Sequence, residues 1–327
     1  MRTFFGGTML RNVIVDGHCD TLKEALDDKS SIFDTRYSFN ITDALKKLPY
    51  IQFLASFINT KYDNGKNGYV RINNILDKFY EEYELNKESI KLIKNKNDID
   101  CIFKENKVGV LLTVENGAAL GNDISNLKKL YDRGIRVMSL TWNDNNFLAS
   151  GAFAKEDLGL TSIGKKCIKV MDDLGVIVDV SHVSKKSFYQ IFNISRKSII
   201  ATHSCANSIF NCPRNLTDEQ IKMIAQTNGI VGICFCKDFL TSDIKNVTHE
   251  NVIEHIEYIS NLVGTEYVGI GSDFDGVEKN HLPVDLQGVK DINSISLGLE
   301  KRGFSKKEIY NIMGGNYIRI LKENLSK

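Results

Sequence analysis

A histidine and an aspartate with one residue between them, His18 and Asp20, follow a short apolar run near the start of the chain. In a β-strand alternate side chains point the same way, so both could reach one metal ion while Cys19 projects to the opposite side. Imidazole nitrogen and carboxylate oxygen are ligands that Zn²⁺ takes in hydrolytic sites. The pattern of a polar residue after an apolar run recurs at Glu115, His182, His203 and Asp273.

These residues are enough for two metal ions. We assign one ion to His18 and Asp20 and the other to His182 and His203, with Glu115 bridging the two. Two ions that share a hydroxide lower its pKa and polarise a carbonyl oxygen, which suits amide hydrolysis. Two Zn²⁺ per chain are expected, with Mn²⁺ or Co²⁺ as alternatives, because these ions accept similar ligands.

A hydrolytic site also needs a group that takes a proton from the attacking oxygen and returns it to the leaving nitrogen. Asp273 is the candidate for this catalytic role, with Asp275 as a competitor in the same segment. Asp273 is preferred because it lies closer to the end of the preceding β-like run, whereas Asp275 and Gly276 have turn chemistry. The remaining histidines lie in a charged helical segment or a loop and are not expected in the site: His249, His255 and His281.

Eight short apolar or β-branched runs bounded by turn residues predict the strands that position these side chains. They span residues 12–16, 51–57, 108–114, 135–140, 176–180, 198–202, 230–235 and 267–271. Helix-like stretches alternate with them at residues 70–96, 125–133, 162–174, 185–192, 217–226 and 250–262. Nearly continuous apolar strands are typical of a parallel sheet covered on both faces. We therefore predict the α/β class and a (β/α)8 TIM barrel, as a single domain over residues 1–327.

An open doubly wound sheet is the competing fold. Such a sheet usually carries a glycine-rich phosphate turn after its first strand, where this chain has His18, Cys19 and Asp20. In a barrel the C-terminal ends of the strands converge on one mouth, where the chemistry is found. Each candidate residue follows a predicted strand, namely the first, third, fifth, sixth or eighth.

The composition of the chain limits which classes of partner and which cellular location are expected. The 42 basic and 41 acidic residues leave a net charge of +1, so no nucleic-acid partner is indicated. No apolar run is long enough to span a membrane, and residues 1–9 lack the apolar core of a secretion signal. Seven cysteines without a framework pattern fit reduced thiols, so a cytoplasmic location is expected. Cys234 and Cys236 read as core, with a zinc site including Cys205 and Cys212 as a weak alternative.

Taken together, the motifs resemble those of the renal or membrane dipeptidases, zinc metallopeptidases with a (β/α)8 barrel in the wider amidohydrolase group. The resemblance covers nearly the whole chain. It is carried by VDGHCD at 15–20, TVENG at 113–117, DVSHVS at 179–184, THS at 202–204, PRNL at 213–216 and GSDFDG at 271–276. It implies the same ligand set, the bridging role of Glu115 and the proton-handling role of Asp273.

The resemblance further implies that Arg214 binds the free C-terminal carboxylate of a dipeptide, which a planar guanidinium can do in a bidentate way. It implies dipeptide substrates, often with a D-residue at the C-terminal position, and a homodimer. The chain departs from the animal members at Trp142, where they carry a histidine that contacts substrate. This leaves the metal ions and Asn143 as candidates for oxyanion stabilisation, and Trp142 and Asn143 as predicted substrate-binding residues.

The sequence therefore predicts a cytoplasmic metal-dependent dipeptidase that uses a metal-bridging hydroxide. One alternative is another metal-dependent amidohydrolase that acts on N-acyl or cyclic amides, because barrels of this kind carry several related reactions. A second alternative is a catalytically silent barrel, which would be expected to have lost a ligand. All six candidate residues are present.

Overall fold

A computed structural model describes residues 3–5, 8–10, 13–63 and 65–326. Eight strands form a parallel barrel: β1 (Ile14–Cys19), β2 (Tyr50–Phe57), β3 (Val108–Glu115), β4 (Ile135–Ser139), β5 (Ile177–Asp179), β6 (Ile199–Ser204), β7 (Ile230–Ile233) and β8 (Val268–Ile270). Consecutive strands pair in order, β8 pairs with β1, and β2 pairs with β3, so the sheet is closed. The predicted (β/α)8 barrel is confirmed, although the first predicted strand begins at residue 12, which lies outside the described residues.

Helices surround the barrel and connect its strands. They are Thr21–Asp27, Ile41–Ala44, Lys66–Leu85, Lys96–Ile102, Asn126–Asp132, Ser162–Leu174, Lys185–Ile194, Asp218–Gln226, Lys237–Leu240, His249–Val263, Asn293–Lys301, Lys306–Tyr310 and Asn316–Asn324. Two short antiparallel strands, Thr3–Phe5 and Thr8–Leu10, precede the barrel. In the described part of the chain, none of the helices has both the length and the apolar character needed to cross a bilayer.

The helix predicted over residues 70–96 is wrong in its second half. The helix ends at Leu85, and a turn in which Ser89 and Ile90 both donate to the Asn86 carbonyl follows it. The chain then forms the strand Ile90–Leu92, which pairs with the first residues of β3. Its buried–partly exposed–buried alternation is that of a strand with one covered face, and its backbone pairs with β3.

The N-terminal end of the barrel is filled by the last helix of the chain. Tyr317 in Asn316–Asn324 is fully buried among inward-facing strand residues that include Val15, Ile51 and Phe53. Its hydroxyl lies 3.4 Å from the carbonyl of Thr202 in β6. Burial of such a side chain contributes about 1.5–3 kcal/mol to the folding stability, so Tyr317 stabilises the end of the barrel opposite its mouth.

An irregularity in β1 turns its polar residues toward the mouth. Val13 and Val15 face the barrel interior, and strict alternation would bring Cys19 inward as well. The register between β1 and β2 instead shifts between Asp16 and Cys19. After this shift His18 faces the interior, while Cys19 packs with Leu22 in the core between barrel and helices. The predicted opposite orientation of His18 and Cys19 is therefore found, by way of a bulge.

Candidate metal centre and active site

The six residues singled out for their chemistry meet at the C-terminal mouth of the barrel. His18 and His203 lie within β1 and β6, Glu115 is the last residue of β3, and the others follow strand ends within three residues. Each is at most 9% exposed. The short apolar strands end at one level, and their parallel direction brings residues from distant parts of the chain together.

Glu115 lies between two pairs of side chains. One carboxylate oxygen, Oε2, is 3.4 Å from Nε2 of His18, which is itself 3.3 Å from Oδ2 of Asp20. The other oxygen, Oε1, is 2.9 Å from Nε2 of His182 and 3.9 Å from Nε2 of His203. A single carboxylate thus presents one oxygen to each pair, which is the arrangement that bridging of two ions requires.

The polar atoms of this cluster fit a metal centre better than a hydrogen-bond network. Nε2 of His18 and Oδ1 of Asp20 are buried and make no hydrogen bond to any residue that the structure describes. Asp20 stands at the N-cap position of the helix Thr21–Asp27, yet its side chain makes no capping bond and turns to the cluster instead. Nε2 of His182 lies only 2.9 Å from Nε2 of His203, so two ring nitrogens converge on one point.

Among the described residues, two groups of three ligand atoms lie close enough to hold an ion, and both include His18. One adds Glu115 and His203, and the other adds Asp20 and Asp273. No cysteine belongs to either group in the part of the chain that the structure describes. Cys234 and Cys236 are buried, and the Cys234 thiol lies 3.6 Å from Oδ2 of Asp273. Nitrogen and carboxylate oxygen together suit Zn²⁺, Mn²⁺ or Co²⁺.

Two site residues have a left-handed backbone conformation that is uncommon outside glycine. His182 has φ 67° and Asp273 has φ 61°, each in the turn directly after its strand. Such a conformation costs about 1 kcal/mol or more for a residue with a side chain and persists only where the surroundings impose it. In this conformation the His182 ring reaches Glu115 and the Asp273 carboxylate faces His18, and strain of this kind is common at active sites.

Two buried aspartates that sequence reasoning did not single out hold the strand ends in place. Asp16 accepts hydrogen bonds from the backbone of His18 and from the backbone and hydroxyl of Ser272. Asp179 accepts the corresponding bonds from Ser181 and from the backbone and hydroxyl of Thr202. The available signal was a charged residue inside an otherwise apolar strand, because such a residue needs internal partners to be buried.

The packed carboxylates perturb one another. Burial, reinforced by the charge of Glu115, raises the pKa of Asp20 to about 6. Burial, together with the charges of Asp20 and Glu115, raises the pKa of Asp273 to about 7. Burial opposes a charge on His18, but its contacts with Asp20 and Glu115 outweigh this and raise its pKa well above the usual value. The cluster therefore concentrates negative charge and favours a cation at its centre.

For the other two imidazoles the effect of burial is not outweighed, and their pKa values are lowered. Burial lowers the pKa of His182 to about 4 and that of His203 well below its usual value, and the Arg214 charge adds to both shifts. Both rings are therefore neutral at pH 7, which is the form that ligates metal ions.

Arg214 lies beside this cluster, and none of the acidic residues that the structure describes is its partner. It is 3% exposed, and its terminal nitrogens donate to the carbonyl of His203 and, at 3.3 Å, to the hydroxyl of Ser204. Its Nε is buried without a hydrogen bond, and no carboxylate of the described residues forms a salt bridge with it. Arg214 and His182 line a cavity of about 360 Å³. A buried unpaired guanidinium is costly unless an anion joins it.

The predicted substrate-binding pair divides into two positions. Trp142 lines a cavity of about 160 Å³ together with Glu115 and Asp273, and packs edge-to-face on Phe57 at 5.1 Å. Asn143 instead contacts a candidate ligand, because its Oδ1 lies 2.9 Å from Nδ1 of His182. A substrate contact by either residue stays a prediction.

The competitors for site roles have structural partners. Asp275 accepts hydrogen bonds from Thr21 and from the backbone of Ser38 and Phe39, and so ties the β8 loop to residues 38–39. The other histidines lie outside the cluster and bond elsewhere: His249 to Asp285, His281 to Asp238, and His255 to Ala206 and Leu240.

Curated relatives of the chain are dipeptidases. Dipeptidase tcpJ of Claviceps purpurea is 31% identical over 245 residues, which cover 73% of this chain and 56% of the relative. An uncharacterized dipeptidase of Schizosaccharomyces pombe is 30% identical over 223 residues, which cover 67% of this chain and 54% of the relative. This chain thus spans about half the length of these relatives.

Solved structures share the fold. A dipeptidase and metallopeptidase of family M19 has a TM-score of 0.89 at 20% identity, covering 97% of this chain and 99% of the other. A metallopeptidase from Rhodobacter sphaeroides, liganded with a phosphinate mimic of the dipeptide L-Ala-D-Ala, has a TM-score of 0.88 at 20% identity, covering 96% and 100%. The family model described as membrane dipeptidase (peptidase family M19) matches residues 6–327. This chain belongs to the membrane dipeptidase family, peptidase family M19.

Proposed function

We propose that this protein is a metal-dependent dipeptidase that hydrolyses the amide bond of dipeptides. The observation that carries the proposal is Arg214, a buried cation that has no acidic partner among the described residues, at the edge of a cluster of metal-ligand side chains. An anion-binding group at a fixed place beside a hydrolytic centre selects substrates with a free carboxylate near the scissile bond. A dipeptide has its C-terminal carboxylate at that position.

His18 and Asp20 would hold one metal ion, His182 and His203 the second, and Glu115 both. The two oxygens of Glu115 that face opposite pairs support this assignment, as do the unpartnered atoms of His18 and Asp20. When bound, two Zn²⁺, Mn²⁺ or Co²⁺ ions supply a bridging water of lowered pKa and polarise the substrate carbonyl.

Asp273 would take the proton of the attacking water and deliver it to the leaving nitrogen. Its place in the mouth, with Oδ1 3.9 Å from Nε2 of His18, supports this role, and so does a carboxyl pKa raised to about 7 by burial and neighbouring charge. Trp142 and Phe57 would exclude water from the side of the mouth that Glu115 and Asp273 line. Asn143 would support the site through its contact with His182.

Arg214 would bind the C-terminal carboxylate and place the peptide carbonyl over the ligand cluster. The 360 Å³ cavity lined by Arg214 and His182 would receive the C-terminal side chain. D-residues at this position are part of the proposal, supported by the L-Ala-D-Ala mimic bound to the Rhodobacter sphaeroides metallopeptidase. The seven free cysteines support a reducing compartment, for which we propose the cytoplasm. A homodimer is proposed from the family resemblance.

The deciding experiment measures metal content and hydrolysis on one sample. Elemental analysis would be followed by hydrolysis assays with L,L and L,D dipeptides, each compared with its C-terminal amide, before and after chelation. Two metal ions per chain, cleavage abolished by chelation and restored by metal, and preference for the free acid would support the proposal. Cleavage that is unchanged after complete metal removal would contradict it, as would turnover of N-acyl or cyclic amides with none of dipeptides.

A further inference from the structure

A short chain of hydrogen bonds connects the ring of His203, one of the candidate ligands, to a buried carboxylate. Nδ1 of His203 lies 2.9 Å from Oγ1 of Thr202, and that oxygen lies 2.6 Å from Oδ2 of Asp179. All three residues are at most 3% exposed, so water does not compete for these bonds. The other carboxylate oxygen of Asp179 accepts two backbone N–H groups, from Ser181 and Thr202 itself, which fixes the orientation of the carboxylate.

The direction of each bond in this chain follows from the number of hydrogens available. A carboxylate only accepts, so the single hydroxyl hydrogen of Thr202 is donated to Asp179. Oγ1 of Thr202 can then only accept from the ring of His203, which places a hydrogen on Nδ1. A neutral imidazole carries one N–H, so Nε2 presents its lone pair toward His182 and Glu115.

We propose that Thr202, backed by Asp179, is a positioning residue that fixes His203 in the tautomer required for metal ligation. The inference rests on the proposed metal site and identifies a residue of this chain on which that site depends. Partners that hold the second nitrogen of a ligating histidine typically account for 10- to 100-fold in metal affinity. The same range is expected for the Thr202 hydroxyl.

The second imidazole of the pair is held differently. Nδ1 of His182 faces the side-chain amide of Asn143, on a partly exposed loop after β4. An amide offers a donor and an acceptor, so rotation about its last bond can serve either tautomer of His182. The fixed tautomer is therefore specific to His203, and substitutions at Asn143 are not expected to reproduce the effect of substitutions at Thr202.

The test compares three substitutions in this chain and one control. Thr202→Val keeps the shape and removes the hydroxyl, whereas Thr202→Ser keeps the hydroxyl. Asp179→Asn keeps its oxygen for the two backbone donors and turns an N–H₂ toward Thr202, so the Thr202 hydrogen becomes free to point at His203. Thr113→Val is the matched control, because Thr113 is a buried barrel threonine whose hydroxyl faces the Leu54 carbonyl.

The first readout is the ¹⁵N NMR signature of the His203 ring in the metal-free protein, assigned by loss of its signals in His203→Gln. We expect an Nδ1–H ring in the wild type, Thr202→Ser and Thr113→Val. A shift toward Nε2–H is expected in Thr202→Val, and the largest shift in Asp179→Asn. Thermal unfolding of each variant identifies any that fails to fold. If Thr202→Val does not fold, the comparison of Thr202→Ser with Asp179→Asn still tests the proposal.

The second readout is metal affinity by competition with a chelator. Thr202→Val should bind Zn²⁺ 10- to 100-fold more weakly than wild type, and Thr202→Ser within about threefold of it. An Nε2–H ring in the folded wild type, or an unchanged tautomer in both Thr202→Val and Asp179→Asn, would overturn the inference. A wild-type protein that binds no metal while showing the Nδ1–H ring would instead refute the proposed metal site.

Discussion

Asp16 and Asp179 occupy equivalent positions on β1 and β5, four strands apart in the closed barrel, and accept the same set of hydrogen bonds. Each receives the backbone N–H of the residue two positions further along its own chain segment. Each also receives a backbone N–H and a hydroxyl from a residue of the neighbouring chain segment: Ser272, just after β8, for Asp16, and Thr202, within β6, for Asp179. Because Asp273 follows Ser272 and His203 follows Thr202, the two carboxylates fix opposite sides of the site.

Substitution of the first of these carboxylates should weaken the whole fold. Asp16→Asn keeps an oxygen for the two backbone donors but turns an N–H₂ group toward the Ser272 hydroxyl, which loses its charged acceptor. The free energy of unfolding of the metal-free protein should fall by about 1–3 kcal/mol. Urea unfolding measures the change, with Asp144→Asn on an exposed loop as the control. An equal, small change in both variants would mean that the Asp16 bonds do not stabilise the barrel.

The sequence was sufficient to predict the barrel and the meeting of six side chains at its mouth. Eight apolar runs predict buried parallel strands, and residues that directly follow such strands must lie at one end of the barrel. Spacing along the chain is irrelevant to this argument, which is why Glu115 and Asp273 could be placed together. Register is a finer property. The order of apolar and polar residues from Val15 to Asp20 does not indicate the bulge that turns His18 inward.

Features that depend on pairs of distant side chains were also beyond the sequence. The contact of Asn143 with His182 was not predicted, because it arises from how the loop after β4 packs on the turn after β5. The predicted contact of Asn143 with substrate stays a prediction. The short strand Ile90–Leu92 was included in a helix because its length is below that at which periodicity is decisive. Such contacts are set by the three-dimensional path of loops, which local sequence does not specify.

The proton-transfer role of Asp273 can be separated from metal binding. Asp273→Asn keeps the size of the side chain but cannot accept and return a proton, so kcat should fall by about 10² or more. The metal content by elemental analysis should stay at the wild-type value, because the ligands proposed for the two ions are intact.

Asp275→Asn is the matched control for that variant. It removes the carboxylate that anchors the backbone at Ser38 and Phe39, so it should lower the melting temperature and leave kcat of the folded enzyme near the wild-type value. If Asp275→Asn abolished turnover while Asp273→Asn retained it, the assignment of the proton-transfer group would have to be reversed.

The role of Arg214 can be tested by pairing an enzyme variant with a substrate variant. Arg214→Met keeps the bulk of the side chain in its buried position beside Phe239 and removes the charge. Loss of one partner of a buried charge pair costs about 2–5 kcal/mol, so kcat/KM for a dipeptide should fall by about 30-fold or more. For the corresponding dipeptide amide, kcat/KM should change little. A parallel loss on acid and amide would show that Arg214 supports the structure of the site rather than the carboxylate.

His255 gives the fold a pH dependence that is separate from the site. Its Nδ1 accepts the backbone N–H of Ala206, and its Nε2 donates to the Leu240 carbonyl, both at 3.0 Å. Burial lowers the pKa of His255 to about 4. In the unfolded chain the His255 imidazole therefore binds a proton below about pH 6.5, whereas in the folded chain it does so only near pH 4. The stability that depends on neutral His255 is complete above pH 6.5 and is lost as the pH falls toward 4.

The size of this effect is about 3 kcal/mol, because each pKa unit corresponds to about 1.4 kcal/mol. It can be isolated by comparing the metal-free wild type with His255→Gln, whose amide can accept and donate in the same two directions but does not titrate. The difference in free energy of unfolding between the two proteins, measured in urea at pH 7.5 and at pH 4.5, removes the contributions of the other histidines. The wild type should lose more stability than the variant on acidification. A difference that is the same at both pH values would show that His255 is not held neutral by its burial between Ala206 and Leu240.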